Sequence, residues 1–314
     1  MFKPQESGGL PLTGWSYRKS ITLSRASGAV TYYQMKLLLG ESSGAVGEDV
    51  DCGALCQTDF DDIRFTTSNG TTLLDYWIES ISGTTPNQLA TIWIEFDSIG
   101  TGATTFYMYY GNAGAAAYSN GPDTFPFFEH FDGDASKWAG DTAALGIASS
   151  IGTLTATGAA WKKVYGNVAS ASDGAMRARV TLQNNIPYTM LAFADSASNY
   201  SNAVMVLSEP ASANDSKWAT QKAAAETIIS NTSIGGDAYH IYELRRSLVG
   251  TDTDSCFIDN VQAGVDTTTN VPVTNLYASF LAYGNTNHVH VDWILIRQYL
   301  LTEPAWGAWG AQES

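Results

Sequence analysis

The chain has 314 residues, which at roughly 150 residues per domain sets an expectation of two domains, each long enough to bury a core. Its 31 acidic and 16 basic residues leave a net charge of −15. A surface so poor in Lys and Arg is not built to hold phosphates, so neither nucleic acid nor an anionic membrane is an expected partner.

A hydrophobic fraction of 44%, with 12% aromatic residues, is too rich for disorder. No apolar run approaches the roughly 18 residues that would insert into a bilayer. Residues 1–12 read as an N-terminal tail, and the opening MFKPQESGGLPLTGW lacks the apolar stretch of a secretory signal. Short runs of β-branched and aromatic residues follow: WSYRKSITL (15–23), YYQMKLLL (32–39), LLDYWIESI (73–81), LATIWIEF (89–96) and TTFYMYYG (104–111). Each is bounded by Gly, Ser, Asn, Asp or Pro, which reads as strands of a sandwich or barrel. The small, turn-rich NAGAAAYSNGPDTF, broken at Asn120-Gly121-Pro122, places a domain boundary between 121 and 122. β character then resumes over 175–182, 188–195, 203–209, 239–247, 256–265, 276–283 and 288–299. The only helical candidate is the Ala-rich KWATQKAAAETIIS (217–230), for which a strand or loop fits equally well.

Cys52 and Cys56 lie in DCGALCQTD and Cys256 in DSCFIDN, without the second CxxC pair or the histidines of a zinc site. Cys52 and Cys56 read as reduced, although an oxidising compartment would permit a small disulfide-closed loop. Cys256, beside Phe257 and Ile258, reads as a small buried hydrophobe.

The order GWSYRKSITL, DFDDIRFTTSNGTTLLDYWIES, ATIWIEFDSI and TTFYMYYGN over residues 13–121 resembles the DUF2341 family, a domain of unknown function. In residues 122–314, FFEHFDGDASKW, YHIYELRRS with CFIDNVQAG, and VDWILIRQY resemble strands of concanavalin A-like lectin/glucanase jelly rolls. The fold class expected is therefore all-β: two β-sandwich (jelly-roll) domains in tandem, the second carrying a C-terminal tail. The terminal TEPAWGAWGAQES resembles the way chains pairing these domains end, so the sequence reads as a complete two-domain unit.

Family-16 glycoside hydrolases, which share the terminal strand, use Glu-x-Asp-x-x-Glu, whose spacing brings a nucleophile and an acid into one cleft. The nearest match, Glu95-Phe96-Asp97-Ser98-Ile99-Gly100, lies in the wrong domain and ends on glycine, so no catalytic residue is expected. His288, His290 and Asp292 alternate onto one strand face, opposite Val289, Val291 and Trp293. Same-face neighbours sit about 7 Å apart, too far for all three to reach one metal ion, so the histidines read as a polar outer face. Resemblance to the family-16 terminal strand implies a structural Ca2+ on Asp292, with Glu129 as partner; oxygen ligands suit that ion.

Sugar recognition needs aromatic faces for stacking. Trp77, Trp93, Trp138 and Trp293 sit inside strand patterns and read as core. Trp161, Tyr188, Tyr200 and Trp218 lie in polar, loop-like surroundings and are the glycan-binding candidates. Arg64 reads as paired with a neighbouring carboxylate. The expected function is non-catalytic glycan binding or adhesion on an extracellular or virion surface, with a polysaccharide or glycoconjugate, a second copy, or other surface proteins as partners. A purely structural capsid, tail or filament subunit is the alternative, and a polysaccharide hydrolase or lyase the second.

Overall fold

The computed structural model describes residues 10–44, 47–171, 173–183, 189–197, 200–208, 215–233, 238–284 and 286–314. Two compact units result, one built from the chain up to Thr124 together with Thr302–Ser314, the other from Phe125–Leu301. Chain order groups the last residues with the second domain, but Thr302–Ser314 belongs to the first. There Trp306 pairs with Leu23 and donates its indole N–H to the Lys36 carbonyl at 3.0 Å.

The first unit contains β1 (Tyr17–Ser24), β2 (Tyr33–Gly40), β3 (Val50–Asp51), β4 (Arg64–Thr66), β5 (Leu73–Leu74), β6 (Tyr76–Ser82), β7 (Leu89–Phe96) and β8 (Thr104–Tyr110). The C-terminal strand Ala305–Trp306 joins β1, β8, β4 and β5 in one sheet, in that order, and β3, β2, β7 and β6 form another. Phe96 of one sheet packs edge-on against Phe106 of the other, with ring centroids 4.6 Å apart.

Segments far apart in sequence meet at Asp62, which is 1% exposed. Its carboxylate accepts the N–H groups of Gln57 (2.9 Å), Gly111 (2.7 Å) and Asn112 (3.1 Å), while its carbonyl accepts the Trp15 indole N–H at 2.6 Å. Tyr17 stacks on Tyr110 at 5.7 Å and lies so close to Gly111, at φ +84°, that a Cβ there would meet the ring at 2.5 Å. Arg64 donates to the carbonyls of Asp61, Ile63 and Ala116 and lies over the rings of Trp15 and Tyr118.

The second unit contains β9 (Phe127–Glu129), β10 (Trp138–Gly140), β11 (Leu145–Ala148), β12 (Ile151–Thr155), β13 (Trp161–Ser170), β14 (Gly174–Leu182), β15 (Thr189–Ala194), β16 (Ala203–Ser208), β17 (Asp215–Lys222), β18 (Ala225–Ser233), β19 (His240–Ser247), β20 (Thr253–Ile258), β21 (Val261–Gln262), β22 (Leu276–Tyr283) and β23 (His288–Arg297). A seven-stranded sheet runs β10-β13-β22-β15-β16-β17-β18, and a second sheet runs β11-β12-β23-β14-β19-β20-β21 with β9 also on β23. Between them lies one apolar core, including Leu191, Phe193, Val204, Val206, Phe280, Val180, Leu244, Val291 and Ile294. The protein is all-β, as the strand runs predict.

Residues 217–230 are a hairpin and not a helix. β17 and β18 pair across a two-residue turn at Ala223 (φ 50°) and Ala224 (φ 66°), the left-handed pair that matches strand twist. Pairing of Val206 with Trp218 on the adjacent strand overrides the helical preference of alanine.

A second departure from simple alternation lies in β23. Pairing Arg179 with Trp293 but Val180 with Val291 leaves Asp292 as an extra residue, a β-bulge that reverses the parity of the strand. Val289 and Val291 reach the core before the bulge, and Ile294 and Ile296 after it, so Trp293 leaves the face expected for it.

On the opposite face of the same sheet, Glu243 is 2% exposed and accepts hydrogen bonds from Arg177 (2.9 Å), Arg297 (2.7 Å) and Arg245 (2.7 Å). Burial opposes its ionisation, but Arg297, Arg245 and Arg177 outweigh burial and hold the carboxyl well below the usual carboxylate range. The network ties β14, β19 and β23 together. Glu243→Gln leaves buried guanidinium groups without their counter-charge and is expected to lower stability by about 3–5 kcal/mol at pH 7, measured by urea denaturation. Because the folded pKa is depressed, the Glu243 contribution is complete above the unfolded value near 4.3 and disappears as pH falls through the folded one; the variant loses that part of the acid slope.

Candidate functional site

The outer face of the seven-stranded sheet is where aromatic side chains gather. Leu276, Ala278 and Phe280 of β22 and Val164 of β13 point into the core. Alternation therefore sends Lys163, Tyr165, Tyr277, Ser279 and Tyr283 to the other side. Trp161 and Tyr283, opposite one another in register, lie 5.3 Å apart between ring centroids, and Tyr165 meets Tyr277 edge-on at 5.5 Å. The two pairs are four residues apart along β13, about 13 Å by strand rise. All four rings are partly exposed.

Lys163 lies between these pairs. Its ammonium donates to the carbonyls of Asp195 (2.6 Å) and Ala197 (2.8 Å) and sits 5.9 Å from the ring centroids of both Tyr165 and Tyr200. Burial pulls its pKa down to about 8, and the negative charge of Asp195 only partly offsets this. Burial likewise pushes the Tyr200 hydroxyl up to about 12. Beneath them Met190, Ala192, Met205, Leu207 and Leu281 form an apolar floor against which Trp161 and Tyr200 pack. Flat apolar rings, a cation and polar tips on a rigid sheet are suited to gripping the faces and hydroxyls of a sugar.

Two of the glycan-binding candidates, Trp161 and Tyr200, therefore come together. Trp218 does not join them: it is fully buried in the inter-sheet core, because β17, paired with β16 on one side and β18 on the other, turns it inward despite its polar neighbours. Tyr188 lies outside the described residues. Tyr277 and Tyr283 escape sequence reasoning because they sit inside the 276–283 strand run, and Tyr165 because no strand run marks 161–170; with both strands in place, period-two alternation against Val164 and Phe280 makes all three outward-facing. Trp77, Trp93 and Trp138 are buried, as their strand patterns imply, whereas Trp293 is buried on the opposite face from the one its pattern assigns, because of the bulge at Asp292.

The donors proposed for Ca2+ do not fit that ion here. Asp292 is ion-paired with Arg179 on the outer side of its sheet. Glu129 pairs in register with Ile294, a core residue, so it faces the other way. Its carboxylate accepts the N–H groups of His130 (3.0 Å) and Phe131 (2.7 Å), with Lys137 at 3.8 Å. Two carboxylates on opposite faces of a sheet cannot share a cation.

Other acidic groups are also committed to structure. Glu95 accepts from the Gln34 amide at 2.7 Å. Asp254 is buried opposite Arg246 on the core side of its sheet, and burial drives its pKa well above the ordinary carboxylate value, which favours the neutral acid. Cys256 is a buried core residue, as its neighbours imply.

Residues 59–141 match the family described as a domain of unknown function (DUF2341), about a quarter of the chain, overlapping the resemblance read from the sequence over 59–121. Comparison with curated proteins finds no match. Among solved structures, a β-glucanase from Bacillus licheniformis is similar at 12% identity and a TM-score of 0.46, over 55% of this chain and 98% of that one. A carbohydrate-binding module from Bacillus subtilis is similar at 14% identity and a TM-score of 0.38, over 52% and 96%. The carbohydrate recognition domain of Emp46p, in its metal-free form, is similar at 8% identity and a TM-score of 0.42, over 53% and 90%. Such identities assign neither ligand nor activity to this chain.

The environment of Lys163 can be measured directly. With lysine side chains labelled at Cε, NMR titration is expected to show one resonance with a midpoint of about 8, absent in Lys163→Met. Since the folded pKa is the lower one, the unfolded chain binds more protons between about 8 and 10.5. The Lys163 contribution to stability therefore rises with pH across that window.

Proposed function

We propose that the protein is a non-catalytic glycan-binding or adhesive component of a cell or virion surface, and that the outer face of the seven-stranded sheet grips the polysaccharide or glycoconjugate. The observation that supports this reading is the row Trp161–Tyr283, Lys163, Tyr165–Tyr277, with Tyr200 on the same apolar floor. Stacking on partly exposed rings uses apolar area at small conformational cost, and the distance between the pairs accommodates more than one sugar ring. No described helix is long and apolar enough to cross a membrane. Pull-downs on insoluble polysaccharides, with a glycan array, test the reading. Trp161→Ala and Tyr165→Ala are expected to weaken retention about three- to ten-fold each, the equivalent of about 0.5–1.5 kcal/mol per aromatic contact. Absence of glycan binding by the unmodified chain would overturn the proposal. Reducing-sugar release abolished by a single carboxylate substitution would overturn its non-catalytic part.

A structural subunit that assembles with itself is the second reading, and a specific feature favours it. Ile228 (47%), Val261 (70%) and Val265 (72%) are exposed apolar residues at one edge of the second unit. There the Ser230 hydroxyl donates to the Ala263 carbonyl, and the Asn270 amide donates to Thr227. β18 and β21 end their sheets, and unpaired strand edges with apolar side chains are templates for association. Sedimentation velocity is expected to show concentration-dependent assembly that Val261→Asp with Val265→Asp suppresses; a monomer at all concentrations removes this reading.

A further inference from the structure

The turn between Cys52 and Cys56 brings the two residues together. The Leu55 N–H donates to the Cys52 carbonyl at 3.1 Å across Gly53 and Ala54, both at φ 60°. A left-handed pair at the centre of a turn reverses the chain tightly, so the chain runs back beside Cys52 as it reaches Cys56. The Cys52 and Cys56 thiols are hydrogen-bonded to each other. Two cysteines can be bridged without moving the backbone only when their side chains converge, as thiols in hydrogen-bond contact do.

Backbone hydrogen bonds fix both ends of that turn. The Cys52 N–H donates to the Gly40 carbonyl at 3.0 Å, and the Ala54 N–H to the Glu41 carbonyl at 2.8 Å. Directly after Cys56, the Gln57 N–H donates to the buried Asp62 carboxylate at 2.9 Å, and the Gln57 amide donates to the carbonyls of Asn112 (2.8 Å) and Ala115 (3.1 Å). The frame therefore holds the sulfurs in contact, but they differ in access. Cys52 is fully buried, and burial, with Cys56 and Asp62 beside it, holds its thiol well above the usual pKa. Cys56 is partly exposed. Cys256 is fully buried in the core of the second unit.

We propose that Cys52 and Cys56 are a redox-active pair, converted to a disulfide in place by exchange with a low-molecular-weight disulfide. The Cys56 thiolate attacks one sulfur of the small disulfide, whose S–S bond breaks and releases a small thiolate. Cys52 then loses its proton and attacks the Cys56 sulfur; the mixed S–S bond breaks and a second small thiolate leaves. One protein S–S bond replaces two S–H bonds, the small disulfide is reduced, and the two protons end on its thiols. Exposure sets this order, because the attacking group is the thiolate and, of the two, Cys56 is the one that meets solvent. The second step joins groups already in contact, so it outruns capture of Cys52 by another reagent molecule. Oxidation closes the turn that leads into the Asp62 hydrogen bonds, and buried Cys256 takes no part.

Reaction of the folded, reduced full chain with 4,4′-dithiodipyridine at about pH 8 tests the pair, with released thiopyridone read by absorbance and the product by intact mass. Two equivalents of thiopyridone per chain are expected, with a product lighter by two hydrogens and free of pyridyl adduct. Trypsin then places the loss in the peptide Leu37–Arg64, which holds both cysteines. Cys52→Ser is expected to release one equivalent and to keep a pyridyl adduct on Cys56. Cys56→Ser is expected to slow release at least about ten-fold, because buried Cys52 must then meet the reagent itself. Circular dichroism checks that each variant is folded, and the unmodified chain decides the matter without them. An unmodified chain that keeps a pyridyl adduct on either cysteine, joins to a second chain, or does not react would overturn the proposal; none of these results bears on glycan binding.

Discussion

The apolar core between the two sheets of the second unit fixes the parity of every strand that contributes to it. Once Val164, Leu191, Val204, Phe280, Val180 and Val291 point inward, the opposite face of each strand is determined residue by residue. Burial of that core is the dominant favourable term, and slipping a strand by one residue would expose its whole apolar set. The positions of Trp161, Lys163, Tyr165, Tyr277 and Tyr283 on one outer face, and of Glu243, His288 and His290 on the other, follow from this single constraint. The bulge at Asp292 is the point in β23 where the constraint is re-phased.

The two outer faces satisfy their polar groups differently. On the second sheet Glu243 compensates several guanidinium groups at once, and the attraction holds only because the carboxylate stays ionised inside the protein. On the seven-stranded sheet a single ammonium is satisfied by backbone carbonyls and surrounded by rings. The first is a clamp with its hydrogen-bonding capacity turned inward. The second leaves aromatic surface at the solvent boundary, which is why the proposed glycan contact falls there. In the first unit the Trp-x-Tyr-Arg, Asp-Ile-Arg-Phe and Tyr-Tyr-Gly-Asn segments meet around buried Asp62, so the motifs carrying the family resemblance serve chain closure.

Strand runs were legible because an alternating or continuous apolar run has few other physical solutions: LYASFLAY and LATIWIEF are strands over the residues that their patterns mark. The sites were less legible. Trp161 reads correctly as a surface aromatic, whereas Trp218, in an equally polar neighbourhood, is buried by the strands on either side of it. Local composition reports on the loop a residue borders and not on the sheet that covers it. The same limit applies to KWATQKAAAETIIS, where alanine favours a helix but the open edge of β16 selects a strand. His288 and His290 are separated by their backbone positions and joined by side-chain lean, which no spacing rule contains.

By itself, the sequence determined that this is an acidic, all-β protein, because composition and apolar periodicity depend only on local order. Tertiary structure decided that Thr302–Ser314 completes the first unit, that Trp218 is core, and that Asp292 faces Arg179 and not Glu129. It also decided which carboxylate holds the arginines and which histidines stand together. Each of these is a pairing across strands distant in sequence. The register of such pairings is chosen by burial of the whole core, so no single segment carries it.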